Sequence, residues 1–128
     1  MLVKDLTEAP TTTAGDGSQL RELLHPERDP AALGYSLAHA IVGPGQATLP
    51  HALSRTEVYY VIEGRGVMHV GDEAQPVRAG HAVHIPPGAV QWIENAGKVS
   101  LAFLCIVDPP WVPECEVVHK QAPPRGGR

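Results

Sequence analysis

Helix-length segments free of glycine and proline are what this 128-residue chain most lacks. Glycine and proline each occur 13 times, so 26 of 128 positions resist regular helix, about 20% against a usual share near 12%. The longest stretch free of both is the 13 residues from His51 to Glu63. Coiled coils, helical bundles and α-solenoids are thereby excluded, since each proline inside a helix costs ~3 kcal/mol. Long apolar runs are also missing. No segment reaches the ~18 consecutive apolar residues needed to span a bilayer, and the N-terminal Met1-Leu2-Val3-Lys4-Asp5 carries no signal-peptide apolar core. The expectation is a soluble, cytoplasmic protein with no membrane partner.

Cysteine is scarce as well. Cys105 lies inside an apolar run, and Cys115 sits between Glu114 and Glu116, whose charges oppose thiolate formation. Two such residues make neither a disulfide framework nor an activated nucleophile. The only basic cluster is terminal: ten Lys plus Arg face fourteen Asp plus Glu, and the segment from His119 to Arg128 holds Lys120, Arg125 and Arg128 with no acid. Taking those three charges away turns a net −4 into −7 for the remainder, which excludes a nucleic-acid-binding surface. Also absent are the G-x-S-x-G elbow, the phosphate-cradling Gly-Lys-Ser/Thr loop and the dinucleotide fingerprint.

What is present is a hydrophobic content of 43%, too high for a disordered chain, cut into short runs by turn residues. Residues 18–25 read as an edge strand stopped at Pro26, with a short helix capped by Ser18 as the alternative. From Tyr35 the punctuation becomes regular. Strands are expected at 35–42, 48–53, 58–62, 67–70, 82–85, 90–94 and 99–107, each closed by Gly, Pro, Asn or Asp. That rhythm is the mark of an all-β sandwich or barrel. The run from Leu101 to Val107 has no polar alternation, so both of its faces should be covered, one of them by a subunit partner. The chain divides into an N-terminal arm with leading strand at 1–34, a barrel at 35–118 and a flexible basic tail at 119–128.

The middle of the chain reads Gly45, five residues, His51, one residue, Leu53, three residues, Glu57, six residues, Gly64. Fifteen residues later it reads Gly80, five residues, Pro86, one residue, Gly88, two residues, Gln91, three residues, Asn95. The pair resembles the two motifs of the cupin superfamily, G-x5-H-x-H-x3-E-x6-G and G-x5-P-x-G-x2-H-x3-N, at eight of ten specified positions. The glycines and the proline have a backbone reason to be there, since tight turns need positive or fixed φ.

This resemblance implies a cupin-type jelly-roll β-barrel with a metal ion inside, held by two His and a Glu from the first motif and a His from the second. Of that ligand set His51 and Glu57 match, Leu53 stands where the second His is expected, and Gln91 where the third is. Leucine coordinates nothing, and Gln91 offers a neutral amide oxygen. The implied cofactor is therefore a weakly held divalent ion on His51, Glu57 and Gln91, whether Zn, Mn, Fe, Ni or Cu, with water at the open positions. The competing arrangement is a metal-free pocket in which the three side chains bond to one another.

Strand parity adds detail. If Glu57 points inward, Tyr59 and Val61 follow it, while Tyr60 and Ile62 face the other way. Tyr59 then brings a phenol to the polar cluster as the tentative catalytic residue, or packs as an ordinary core aromatic. Gln91 takes Ile93 inward and sends Trp92 outward, where Trp92 and Trp111 suggest a homodimer interface. His39, His69 and His84 lie in strands and are candidates to line the pocket, whereas His25, His81 and His119 read as loop, turn or tail. The functions left are a metal-dependent enzyme on a small polar metabolite, or a small-molecule-binding protein without metal or catalysis.

Overall fold

The computed structural model describes residues 1–119. Among them the chain forms eleven strands and two single 3₁₀ turns, at Leu6–Glu8 and Pro113–Cys115. The strands are β1 (Thr12–Thr13), β2 (Gln19–Leu24), β3 (Ser36–Val42), β4 (His51–Leu53), β5 (Thr56–Glu63), β6 (Arg65–Val70), β7 (Glu73–Arg78), β8 (Ala82–Ile85), β9 (Gln91–Asn95), β10 (Leu101–Asp108) and β11 (Glu116–Val118). They make two antiparallel sheets, one ordered β1-β2-β3-β10-β5-β8 and the other β11-β4-β9-β6-β7, the two walls of the expected all-β jelly roll.

Residues 18–25 form strand β2 rather than a helix, and with β1 they extend the larger sheet. Strands β1 and β2 of the N-terminal region therefore belong to the barrel wall. Strand β7 has no counterpart in the sequence reading because Glu-Ala-Gln-Pro-Val-Arg alternates poorly and contains Pro76. It is the edge of its sheet, where a residue without an N–H is tolerated. The basic tail, apart from His119, lies outside the described residues.

Side chains from both sheets meet in one core. Ala40 and Val42 from β3, Tyr59 and Val61 from β5, Met68 from β6, Ile93 from β9 and Leu101, Phe103 and Cys105 from β10 are all buried. Tyr59 stacks against Phe103 with ring centroids 4.4 Å apart. Strand β10 runs between β3 and β5. Its inward residues are buried, Ala102 on the other face is also buried, and Leu104 and Ile106 there are half-covered.

Two motif residues hold the frame. Gly64 adopts φ +83°, and a Cβ there would lie 2.5 Å from the Ser100 carbonyl oxygen, so only glycine allows β5 to turn into β6 against the neighbouring chain. Asn95 donates from Nδ2 to the carbonyls of Val42 and Val99 and accepts the Gly97 N–H on Oδ1. It thereby closes the turn into β10 and ties the end of β9 to the facing sheet.

Candidate functional site

Alternation along β5 puts Glu57, Tyr59 and Val61 inside and leaves Tyr60 and Ile62 44% and 46% exposed. On β9, Gln91 and Ile93 turn inward, both with zero exposure. Strands β4 and β9 pair at His51 and Gln91, so three of the singled-out residues converge at one end of the barrel interior. Gln91 Nε2 donates to Glu57 Oε1 at 2.8 Å. Gln91 Oε1, buried, has no partner among the described residues.

His51 is buried but bonds to neither Glu57 nor Gln91. Its Nδ1 lies 2.8 Å from the Leu49 carbonyl. A carbonyl only accepts, so Nδ1 donates to it, and the other ring nitrogen, Nε2, sits 3.6 Å from Asp16 Oδ2. Asp16 is itself buried, its Oδ1 accepting from the Ser18 N–H and hydroxyl. Leu53, two residues along β4 from His51, is 4% exposed and packs with Val107, Cys115 and Trp111.

Asp16, His51, Leu53 and Glu57 border a cavity of about 400 Å³, within the size range of small-molecule sites. Its walls are largely apolar, with Leu20, Ala40, Leu53, Phe103 and Val107 among them, and Tyr59 and Cys105 deeper in. Asp16, Glu57 and Glu116 supply carboxyl groups, and Arg28 at the rim is paired with Glu22 at 2.7 Å. Burial, opposed by the Gln91 hydrogen bond and reinforced by the charges of Asp16 and Glu116, pushes the Glu57 carboxyl up to about 8. Burial likewise lifts the Tyr59 phenol and the Cys105 thiol well above their ordinary values. Tyr59 packs as a core aromatic and also lines the cavity.

The other histidines do different work. His39 is buried on the outward face of β3, beside Arg21 of β2, whose guanidinium reaches the Leu6 carbonyl and the Thr11 hydroxyl. His69 stacks on Trp92 with centroids 4.3 Å apart and holds Glu94 through Nε2 at 2.6 Å. Neither lines the cavity beside Glu57. His84 borders a different cavity, near β7 and β8, together with His81. His25, read as a loop residue, is 1% exposed; its Nε2 donates to the Trp111 carbonyl at 2.7 Å, and its Nδ1 accepts the Glu27 N–H.

Trp111 also departs from expectation, since it turns toward the cavity and donates from Nε1 to Glu116 Oε1 at 3.0 Å. Asp16 and Glu116 were not read as site residues at all. The Gly15-Asp16-Gly17 sequence signals a turn, which it forms, but nothing local says that the turn folds over the barrel mouth.

A sequence model described as "Cupin domain" matches residues 38–107. An uncharacterised protein of Methanocaldococcus jannaschii is 44% identical over 97 residues, covering 75% of this chain and 77% of the relative. An oxalate-binding protein of Thermotoga maritima is 35% identical over 51 residues, 40% of this chain and 42% of that protein. Among solved structures, a predicted oxalate decarboxylase of Thermotoga maritima superposes with a TM-score of 0.73 at 24% identity, over 84% of this chain and 99% of the other. At that identity the likeness is one of fold.

Proposed function

Because this chain belongs to the cupin family, whose barrel here encloses a cavity ending in buried polar side chains, we propose that it is a small-molecule-binding protein. The observation that carries this reading is the cavity itself, a largely apolar chamber of about 400 Å³ bordered by the polar side chains of Glu57, His51 and Asp16. Apolar walls supply affinity through burial, and the few polar groups fix orientation.

The donors present do not fit a resident divalent ion. Among the described residues no three His, Cys, Asp or Glu side chains converge at ligand spacing. Leu53 fills one expected ligand position with packed hydrocarbon, and Gln91 turns its amide N–H toward Glu57, the one carboxylate the motif retains. One imidazole, one carboxylate engaged with an amide and one neutral oxygen make a weak set for borderline metals.

The oxalate named for two Thermotoga relatives suggests one candidate ligand class. This cavity opposes it, because Asp16 and Glu116 would repel a dianion. In solution we propose a homodimer built on the outer face of the larger sheet, where Val58, Tyr60 and Ile62 of β5 lie beside Leu104 and Ile106 of β10.

Native mass spectrometry of gently purified, untagged protein, paired with elemental analysis, tests the reading. An organic adduct lost on denaturation, with metal far below one equivalent, supports it. One full equivalent of a transition metal and no organic adduct overturns it.

A further inference from the structure

Tyr59 carries a hydroxyl that the protein leaves unused. The residue is 2% exposed and lines the cavity, and its phenol, which keeps its proton at neutral pH, finds no hydrogen-bond acceptor among the described residues. The register explains why. On the inward face Tyr59 stands between Val83 of β8 and Cys105 of β10; the first side chain has no polar atom and the second bonds only weakly. Glu57, two residues along, already accepts Gln91 Nε2 on Oε1. Phe103, stacked on the ring at 4.4 Å, holds the phenol in place. A buried O–H donor without an acceptor is costly to keep, so this fixed hydroxyl is a place for an acceptor brought from outside the chain.

Resting on the cavity reading above, we propose that the ligand is an uncharged, mainly apolar carbonyl compound, of the ketone or ester class, whose oxygen accepts from the Tyr59 hydroxyl. A carbonyl oxygen brings lone pairs and no donor of its own, which matches what surrounds Tyr59. Its apolar body lies along Phe103, Leu53 and Val107. A carboxylate would also accept from Tyr59, but its charge would be buried in a chamber bordered by the like charges of Asp16 and Glu116. A hydrocarbon would leave the hydroxyl as unpaired as before.

Three probes of matched size make the test: acetophenone, ethylbenzene and benzoate, titrated by calorimetry into the full chain and into Tyr59→Phe, which keeps the ring and removes only the hydroxyl. The variant should bind acetophenone about 3-fold to 10-fold more weakly than the parent does, and ethylbenzene no more weakly. Benzoate should bind to neither protein. Infrared spectra give a readout that packing alone does not move: the carbonyl stretch of bound acetophenone should lie at lower frequency in the parent than in the variant. If the neutral probes bind but Tyr59→Phe changes the two alike and leaves the band in place, the hydroxyl is not the donor, and the cavity reading stands without this ligand class. Benzoate binding as tight as that of acetophenone overturns the uncharged class. Binding of none of the three overturns the proposal and the cavity reading together. Circular dichroism of the variant, matching the parent, keeps a folding defect from imitating the expected loss.

Discussion

Gln91 Nε2 donates to Glu57 Oε1 across 2.8 Å, joining β9 of one sheet to β5 of the other through side chains that are 0% and 6% exposed. The bond sits where the cupin resemblance implies two metal ligands. There a neutral amide acts on a carboxyl group, and the protonation of Glu57 becomes the electrostatic variable of the barrel interior.

The first prediction follows from that variable. Glu57 titrates near 4.5 in the unfolded chain and near 8 in the folded one, so between these limits the folded state holds the extra proton. Stability therefore falls as pH rises from about 4.5 to about 8 and levels off above, by at most about 1.4 kcal/mol per pH unit from this group. Urea denaturation across that range, with chelator present, should show the decline, and Glu57→Gln should flatten it. An unchanged slope in the variant would place the titrating group elsewhere.

His25 yields a prediction about structure alone. With two ring hydrogen bonds and 1% exposure, it pins the end of β2 to the Trp111 carbonyl. His25→Ala leaves that carbonyl and the Glu27 N–H without their partner and opens a void, costing about 2–4 kcal/mol. Chemical denaturation measures the loss. A cost below about 0.5 kcal/mol would show that water replaces the ring freely.

The barrel and half of its site were legible because they rest on local rules. Turn residues such as Gly64 announce positive φ, and parity along β5 correctly sorts Glu57 and Tyr59 from Tyr60 and Ile62. His51, Glu57 and Gln91 were singled out by the resemblance of their spacing to the cupin motifs. What spacing could not give is which side chains meet across the barrel. Asp16 reaches His51 from a turn thirty-five positions earlier, and Glu116 arrives on a three-residue strand beyond the last motif. His25 does lie in a loop, just past β2, but its burial was hidden for the same reason: its partner Trp111 lies 86 residues away. Outward Trp92 was placed correctly by parity, yet His69 covers its ring from within the same chain.

Dimerisation is predicted from the outer face of β5. Tyr60 and Ile62 are large apolar groups left 44% and 46% exposed, on a face shared with Leu104 and Ile106, and a two-fold pairing buries such a patch against itself. Sedimentation should give twice the 13.6 kDa chain mass at micromolar concentration, and Tyr60→Glu with Ile62→Lys should give the monomer. A parent protein that sediments as a monomer rejects the interface.

Leu53→His separates an interior rebuilt for organic ligands from one that has only lost an imidazole. Residues 51 and 53 both turn inward on β4, buried at 3% and 4%, so the variant sets a second imidazole beside His51. Two nitrogens and the Glu57 carboxylate form a site that borderline metals prefer, and affinity for Zn or Ni should rise by at least the 10-fold to 100-fold span that even outer-shell changes produce. Ion binding requires Glu57 to give up its proton, so the gain should grow as pH rises toward about 8. The same substitution narrows the apolar chamber and should weaken the binding of a small, mainly apolar probe such as the alcohol 2-phenylethanol. Isothermal titration with Zn and with the alcohol, on parent and variant, measures both. If metal affinity stays flat while alcohol binding falls, position 53 faces the cavity but not the Glu57 carboxylate; if neither changes, β4 does not present its buried face to the cavity, and the site built on His51 falls with it.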